Sequence, residues 1–355
     1  MLNFTVGPVQ ESKEVLEVGA QTTPYFRNQS FSKIMLENEA MMKELTFSDK
    51  DSRVVFLTAS GTGAMEAAVI NSFTTEDKVL IVNGGSFGKR FVQICQIHDI
   101  PYTEIVVPME KALTSDMLEP YNGKGYTGFL VNMHETSIGK LYDIEMISDF
   151  CKRNNLFLVV DAVSAFLAEP INLSKLGIDI MLTGSQKALA VPPGVSILVM
   201  NKRAVDRAYE LDVKSMYFNL ADALKNGERG QTPFTPAVSI LLQIHKRLEE
   251  LCKEGAEAEN KRIAELAADF RNKVKGLPFK MFSPSPSNAV TAMIMENGKS
   301  AYDLFEILES DYGIWICPSG GDLKDKLFRV GHLGALTFEN NDKLIDAMKK
   351  AIENI

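Results

Sequence analysis

Thr183-Gly184-Ser185-Gln186-Lys187-Ala188-Leu189 decides how this chain is read. It sets a lysine just past an apolar run, residues 179–182, that reads as a strand. A second run, Leu156-Phe157-Leu158-Val159-Val160, ends in Asp161, 26 residues upstream of Lys187. Working outward, residues 54–57, 78–82, 128–131 and 195–200 also read as strands. Helical periodicity fills 62–72, 87–98 and 143–154 between them. Short β-rich runs separated by helices predict an α/β sheet, mostly parallel. From 239 to 275 the pattern becomes one long, charged helical stretch that leads towards a second unit. Residues 291–295, 301–310 and 314–317 make that unit a smaller α+β one, closed by a terminal helix from Asn341. Ser283-Pro284-Ser285-Pro286-Ser287 is too short for a linker and reads as a loop.

Composition narrows the class. The 355 residues are enough for two units sharing a large core. Apolar residues are 45% and charged residues 24%, the balance of a soluble globular protein. The net charge of −8, with no long run of one sign, argues against a nucleic-acid or membrane-surface protein. No apolar run approaches the ~20 residues that span a bilayer. Met1-Leu2-Asn3-Phe4-Thr5 lacks the basic-then-apolar form of a signal peptide. Cys95, Cys151, Cys252 and Cys317 are scattered without CxxC spacing, which fits a reducing cytoplasm and offers no metal motif.

The chemistry lies where strands end. Lysine past one strand and aspartate at the tip of another are what a pyridoxal-phosphate enzyme needs. The lysine forms the Schiff base, and the carboxylate keeps the pyridine nitrogen protonated so that the ring draws electrons from a carbanion. Ser60-Gly61-Thr62-Gly63-Ala64-Met65-Glu66 follows a strand and opens a helix. Its first amides face outward to an anion, aided by the helix dipole, and the Ser60 and Thr62 hydroxyls can add hydrogen bonds. Read alone, it could equally be an ordinary capped helix. Asn83-Gly84-Gly85-Ser86-Phe87-Gly88-Lys89-Arg90 also opens a helix, with Phe87 at the carboxyl edge of the sheet, placed either to stack on a planar ring or to pack in the core. His134-Glu135-Thr136-Ser137-Ile138-Gly139 ends another strand, where Thr136 or Ser137 could reach a ring hydroxyl or cap a turn.

In order and spacing these segments resemble the class V, fold-type I pyridoxal-phosphate aminotransferases, the group of the alanine–glyoxylate, serine–pyruvate and 2-aminoethylphosphonate–pyruvate enzymes. The resemblance runs from Asn3-Phe4-Thr5-Val6-Gly7-Pro8 to Thr232-Pro233-Phe234-Thr235-Pro236 and Phe328-Arg329-Val330-Gly331, nearly the whole chain. It implies a large domain, residues 16–250, with a mostly parallel seven-stranded sheet sandwiched by helices. A small α+β domain would span 251–355, and an amino-terminal segment, 1–15, would lie near the active site and the small domain.

Carried over position by position, the resemblance makes Lys187 the Schiff-base lysine and the base that moves the proton. Asp161 pairs with the pyridinium nitrogen. Val163 and Phe87 press on the two ring faces, although many relatives carry Trp or Tyr at the Phe87 position. Ser60, Gly61, Thr62 and Gln186 hold the phosphate, and Thr136 contacts the ring oxygen. A homodimer with shared active sites is implied, with Gln231, Thr232 and Thr235 of the neighbouring subunit completing the phosphate site. Arg329 binds the substrate carboxylate with its two-pronged guanidinium. Gly7 lies near the substrate, and Arg27, if it faces the site, takes a phosphonate or second carboxylate. Alone, Arg329 and Arg27 read as surface arginines, Gln231–Pro236 as a Pro-rich turn and Gly7 as a turn glycine. The implied reaction is ping-pong transamination from a small donor such as alanine, serine or 2-aminoethylphosphonate to pyruvate or glyoxylate. Two alternatives stand beside it: a lyase or cysteine desulfurase of the same fold, with Cys317 as sulfur acceptor, and a non-catalytic binding relative.

Overall fold

A computed structural model describes residues 1–354. Seven strands form the central sheet: β1 (Arg53–Leu57), β2 (Val79–Asn83), β3 (Tyr102–Val106), β4 (Gly128–Asn132), β5 (Phe157–Asp161), β6 (Ile180–Gly184) and β7 (Ser196–Met200). Their spatial order is β1-β7-β6-β5-β4-β2-β3. Only β7 runs against its neighbours; the other pairings are parallel. The carboxyl ends of β1, β2, β4, β5 and β6 therefore open on one edge, where ligands of open α/β sheets bind.

The strands read as unbroken apolar runs because helices cover both faces. Side chains alternate across the sheet plane. Leu80, Val82, Phe129, Val131, Leu158, Val160, Ile197 and Val199 join one core, with helices Gln29–Leu45, Ile144–Arg153 and Val238–Glu254. Val79, Ile81, Leu130, Phe157, Val159, Leu182 and Leu198 join the other, under helices Gly61–Ile70 and Ser86–Ile97. All five residues of β4, β5, β6 and β7 are buried. The sheet core is thus rigid enough to hold its loops in register.

The expected single helical stretch over 239–275 is two helices, Val238–Glu254 and Ala256–Lys273. Gly255 separates them with φ 88°, a backbone angle that other residues rarely adopt. Ala256 and Ile263 of the second helix still belong to the large core, whereas Leu266 and Phe270 belong to the core of the small unit. That unit has a four-stranded antiparallel sheet, in the order Phe279–Met281, Val290–Met295, Leu327–Gly331, Cys317–Pro318. Helices Ala301–Tyr312 and Phe338–Asn354 supply apolar faces to its core.

Two segments stitch the units together. The chain begins as a short strand, Leu2–Asn3, beside Ile314–Trp315, with Phe4 buried in the small unit's core. It then crosses to the lysine loop, where the Val9 N–H donates to the Gln186 carbonyl at 3.3 Å. The Pro-Ser loop is the second. The Leu141 N–H donates to Ser285 O at 2.8 Å, and the Ser287 hydroxyl donates to Glu169 at 2.9 Å. Among the described residues no helix is long and apolar enough to cross a membrane.

Candidate active site

Lys187 stands in the loop between β6 and β7. The loop is pinned by its own backbone: Ser185 N–H donates to Val195 O at 2.9 Å and Val191 N–H to Ser185 O at 3.0 Å. The lysine side chain is buried, and its ammonium donates to the Val6 carbonyl on the amino-terminal segment. Burial pushes its pKa down to about 8; Arg329 adds to that, while Cys317 and Asp161 oppose it. A lysine so placed is close to giving up its proton, as a base at Cα must. Gly7 lies against it. A Cβ there would come 2.7 Å from Lys187 Cδ, and the φ of 128° is one that other residues avoid. Glycine at this position lets the backbone pass over the lysine.

Asp161 ends β5 and is buried. One carboxylate oxygen accepts the Val163 N–H at 2.9 Å. Burial raises its pKa to about 6; the Val163 amide opposes this, Glu135 adds to it, and Lys187 and Arg90 oppose it. A carboxylate held this way is ready for a cationic partner such as a protonated ring nitrogen. Lys187 and Asp161 are not themselves an ion pair among the described residues, so neither satisfies the other.

The residues expected to cradle a phosphate sit at the amino terminus of the helix after β1. Ser60 caps Gly61–Ile70, accepting the Gly63 N–H at 3.4 Å. A Cβ on Gly61 would lie 3.1 Å from Val163 Cγ2, so this helix start packs on the residue whose N–H Asp161 accepts. Gln186 borders Lys187 in sequence and is half-buried. Phe87 is half-buried too, not a core residue, in the first turn of helix Ser86–Ile97.

Glu135 was not singled out as a site residue by the sequence, and it organises this corner. Fully buried, it accepts the N–H groups of Phe87 and Gly88, both at 3.1 Å, and the Asn132 amide at 3.0 Å. It sits at the amino terminus of helix Ser86–Ile97, accepting N–H groups of the first turn. The available signal was a carboxylate inside the strand-end run His134-Glu135-Thr136. Its neighbour His134 is kept neutral, its pKa pushed down to about 3 chiefly by burial, and its Nδ1 faces the Ser164 carbonyl at 3.4 Å. The Thr136 hydroxyl pairs with Ser164 at 2.6 Å.

Arg329, on strand Leu327–Gly331, reaches across from the small unit. Its guanidinium donates to Thr136 O at 3.2 Å, Pro318 O at 2.8 Å and Cys317 Sγ at 3.1 Å. The acceptors are two backbone carbonyls and a cysteine sulfur. Its Nε is buried without a partner, and among the described residues no carboxylate pairs with it. Cys317 lies in a paired strand facing Arg329, a poor place for a mobile sulfur carrier.

Gln231, Thr232, Thr235 and Arg27 form a separate cluster beside β1. Gln231 is buried, and its amide donates to Ser32 Oγ at 2.7 Å. Thr232 Oγ1 donates to Phe234 O at 2.7 Å, and Thr235 is exposed. None of their hydrogen bonds reaches Lys187, Asp161 or Arg329 within this chain. The expectation for Arg27 needs correction. Its guanidinium clamps the 231–233 loop, donating to Gln231 Oε1 at 3.0 Å, Thr232 O at 2.7 Å and Pro233 O at 3.1 Å. Three of its five N–H groups are used there, and within its own chain it makes no hydrogen bond to Lys187 or Arg329.

A buried near-neutral lysine, a buried aspartate with an oxygen to share, an anion cradle and an arginine without an anion fit pyridoxal phosphate and a carboxylate-bearing substrate. The comparisons agree. The family description Aminotransferase class-V matches residues 16–322. An uncharacterized aminotransferase of Helicobacter pylori (strain J99) is 30% identical over 360 residues, covering 100% of this chain and 95% of its own length. The serine–glyoxylate aminotransferase of Hyphomicrobium methylovorum is 29% identical, covering 87% of this chain and 79% of its own. The crystal structure of a subgroup IV aspartate aminotransferase from Thermus thermophilus matches with a TM-score of 0.92 at 27% identity, covering 100% of both chains. The chain belongs to the class V aminotransferases, pyridoxal-phosphate enzymes of fold type I.

Proposed function

We propose that this enzyme moves an amino group from a small monocarboxylic amino acid, serine or alanine, to glyoxylate or pyruvate by ping-pong transamination. The observation that carries the reading is Arg329: a guanidinium bonded to two carbonyls and a sulfur but, among the described residues, to no carboxylate, its Nε unpartnered, whose charge is felt at Lys187. An α-carboxylate bound there is held in a two-pronged grip. Serine and glyoxylate are what the Hyphomicrobium relative is named for. The resemblance of residues 3–9 and 25–27 to the 2-aminoethylphosphonate branch keeps that donor in the comparison, although Arg27 itself is turned to the 231–233 loop.

Pyridoxal phosphate, when bound, supplies the electron sink for a carbanion at Cα. The protein's own groups do the rest. Lys187, neutral above about pH 8, takes the Cα proton and returns it on the cofactor side. Asp161 in its ionised form holds the ring nitrogen protonated. Ser60, Gly61, Thr62 and Gln186 would hold the phosphate, with Phe87, Val163 and Thr136 as the residues that would contact the ring. Gly7 and Val6 close the amino-terminal segment over the lysine. We assign Gln231, Thr232 and Thr235 to the partner subunit's phosphate site in a homodimer. This accounts for their position away from Lys187 in their own chain, with no hydrogen bond to Lys187, Asp161 or Arg329. Four unpaired cysteines accord with a cytoplasmic enzyme.

The test is an absorption titration. The lysine-bound cofactor should absorb near ~420 nm. Serine or alanine should bleach that band and glyoxylate or pyruvate restore it, with aspartate and 2-aminoethylphosphonate as comparison donors. A band that no donor bleaches, with sulfide released from cysteine, would replace transamination by desulfurase chemistry.

A further inference from the structure

Arg90 is joined to three parts of the site. Its Nη1 donates to Thr62 Oγ1 at 2.9 Å, from one helix to the next. Its guanidinium carbon lies 4.8 Å from the centre of the Phe87 ring, three residues back on the same helix face. Its charge also bears on Asp161. A threonine hydroxyl has one proton to give and two lone pairs to share, whereas a guanidinium only donates. The bond from Arg90 therefore fills an acceptor position on Thr62 and leaves its proton free. Among the described residues that proton has no acceptor. It belongs to the first turn of helix Gly61–Ile70, beside the amides of Gly61 and Thr62.

We propose that Arg90 is a positioning residue for the cofactor phosphate: held in place by the Phe87 ring, it orients the Thr62 hydroxyl as a donor to the anion. Stacking on Phe87 explains why the guanidinium stays put in a half-exposed setting. Lysine could supply a charge there but not the planar stack with a directed N–H. The inference rests on the reading of Ser60–Thr62 as the phosphate cradle.

The experiment measures the affinity of the apoprotein for pyridoxal phosphate and for pyridoxal, which lacks the phosphate. It compares Arg90→Met, Arg90→Lys, Thr62→Val and the Arg90→Met/Thr62→Val double variant. Arg90→Met and Thr62→Val should each weaken pyridoxal phosphate by about tenfold, as expected for losing a hydrogen bond to a charged group. Pyridoxal affinity should fall much less than pyridoxal phosphate affinity. The double variant should bind about as well as either single one, because the two act in series. Arg90→Lys should recover only part of the loss. Wild-type affinity in Arg90→Met overturns the proposal. So does an equal loss for pyridoxal, which would mark a general structural role. Multiplying losses in the double variant would make Arg90 an independent phosphate ligand rather than an orienting one. A Thr62→Val variant with unchanged affinity for both compounds would instead sink the cradle reading itself.

Discussion

Replacing Lys187 by methionine should make the cofactor-free protein more stable while abolishing transamination. In the fold the lysine's pKa drops from 10.5 to about 8. Every tenfold loss of proton affinity is worth about 1.4 kcal/mol, so at neutral pH the buried ammonium costs roughly 3 kcal/mol relative to the unfolded chain. Methionine keeps most of the side chain's volume and removes the charge. It also strands the Val6 carbonyl, which now accepts from the ammonium, at a cost of about 1 kcal/mol. The net expectation is a gain of about 2 kcal/mol. Its pH dependence identifies the cause. Below about 8 the lysine is protonated in both states and the whole penalty is present. Between there and 10.5 only the unfolded chain keeps the proton, so raising pH stabilises the wild type and closes the gap between the two proteins. Urea unfolding of both apoproteins at pH 7, 9 and 10.5 reads this directly. Other lysines and tyrosines titrate alike in the pair and cancel. A methionine variant less stable than wild type at pH 7, or a gap that stays constant to pH 10.5, would refute the claim that this lysine is held near neutrality by burial.

Other outcomes follow from single contacts. Arg329→Gln should lower kcat/KM for amino acids by about a hundredfold, the loss of a charge-assisted pair, mostly through KM and without altering the bound cofactor's spectrum; steady-state kinetics with serine and alanine check it. Gly7→Ala puts a methyl 2.7 Å from Lys187 Cδ at a φ of 128°. It should cut kcat by at least about tenfold, as small misplacements of a base do, while far-UV circular dichroism stays unchanged. Asp161 works ionised, and its pKa without a cationic partner is about 6. A bound pyridinium lowers that value, so kcat/KM should fall as pH drops through 6 or somewhat below. A profile flat to pH 4 would remove the carboxylate from the reaction.

The sheet was legible because its strands are buried on both faces and appear as unbroken apolar runs between helical periods. The edge strand Tyr102–Val106 escaped for the opposite reason. Only one of its five residues is buried, so Tyr-Thr-Glu-Ile-Val carries no clear alternation. The break at Gly255 lay in a charged stretch whose periodicity continues on both sides, and one glycine within a helical pattern does not announce a positive φ. At the site, Lys187 and Asp161 were weak signals alone, since lysines after strands are common, and they gained weight from the order and spacing of the other segments along the chain. Glu135 did not stand out, because its work depends on two loops 47 residues apart meeting at one helix end. Arg90 could have been found: three positions after Phe87 on a predicted helix, it had to share that ring's face. The direction of Arg27 could not, since it is fixed by carbonyls more than 200 residues away.

The contacts of Lys187 also tie the amino-terminal segment to the lysine. It pairs with the small unit at Leu2–Asn3, is hydrogen-bonded to the lysine loop at Val9, and offers the Val6 carbonyl to the ammonium. A carbonyl can accept from the charged or the neutral amine, but it stabilises the charged form more. It thus works against the burial that would neutralise the lysine. Arg329, carried by the small unit, works with that burial by repelling the ammonium. A substrate carboxylate neutralising Arg329 removes the repulsion and favours the protonated lysine, whereas withdrawal of Val6 favours the neutral base. Opposing influences on one amine give the small unit control over its proton. Weakening the amino-terminal pairing should therefore shift the lysine's apparent pKa even though no residue near the chemistry has changed.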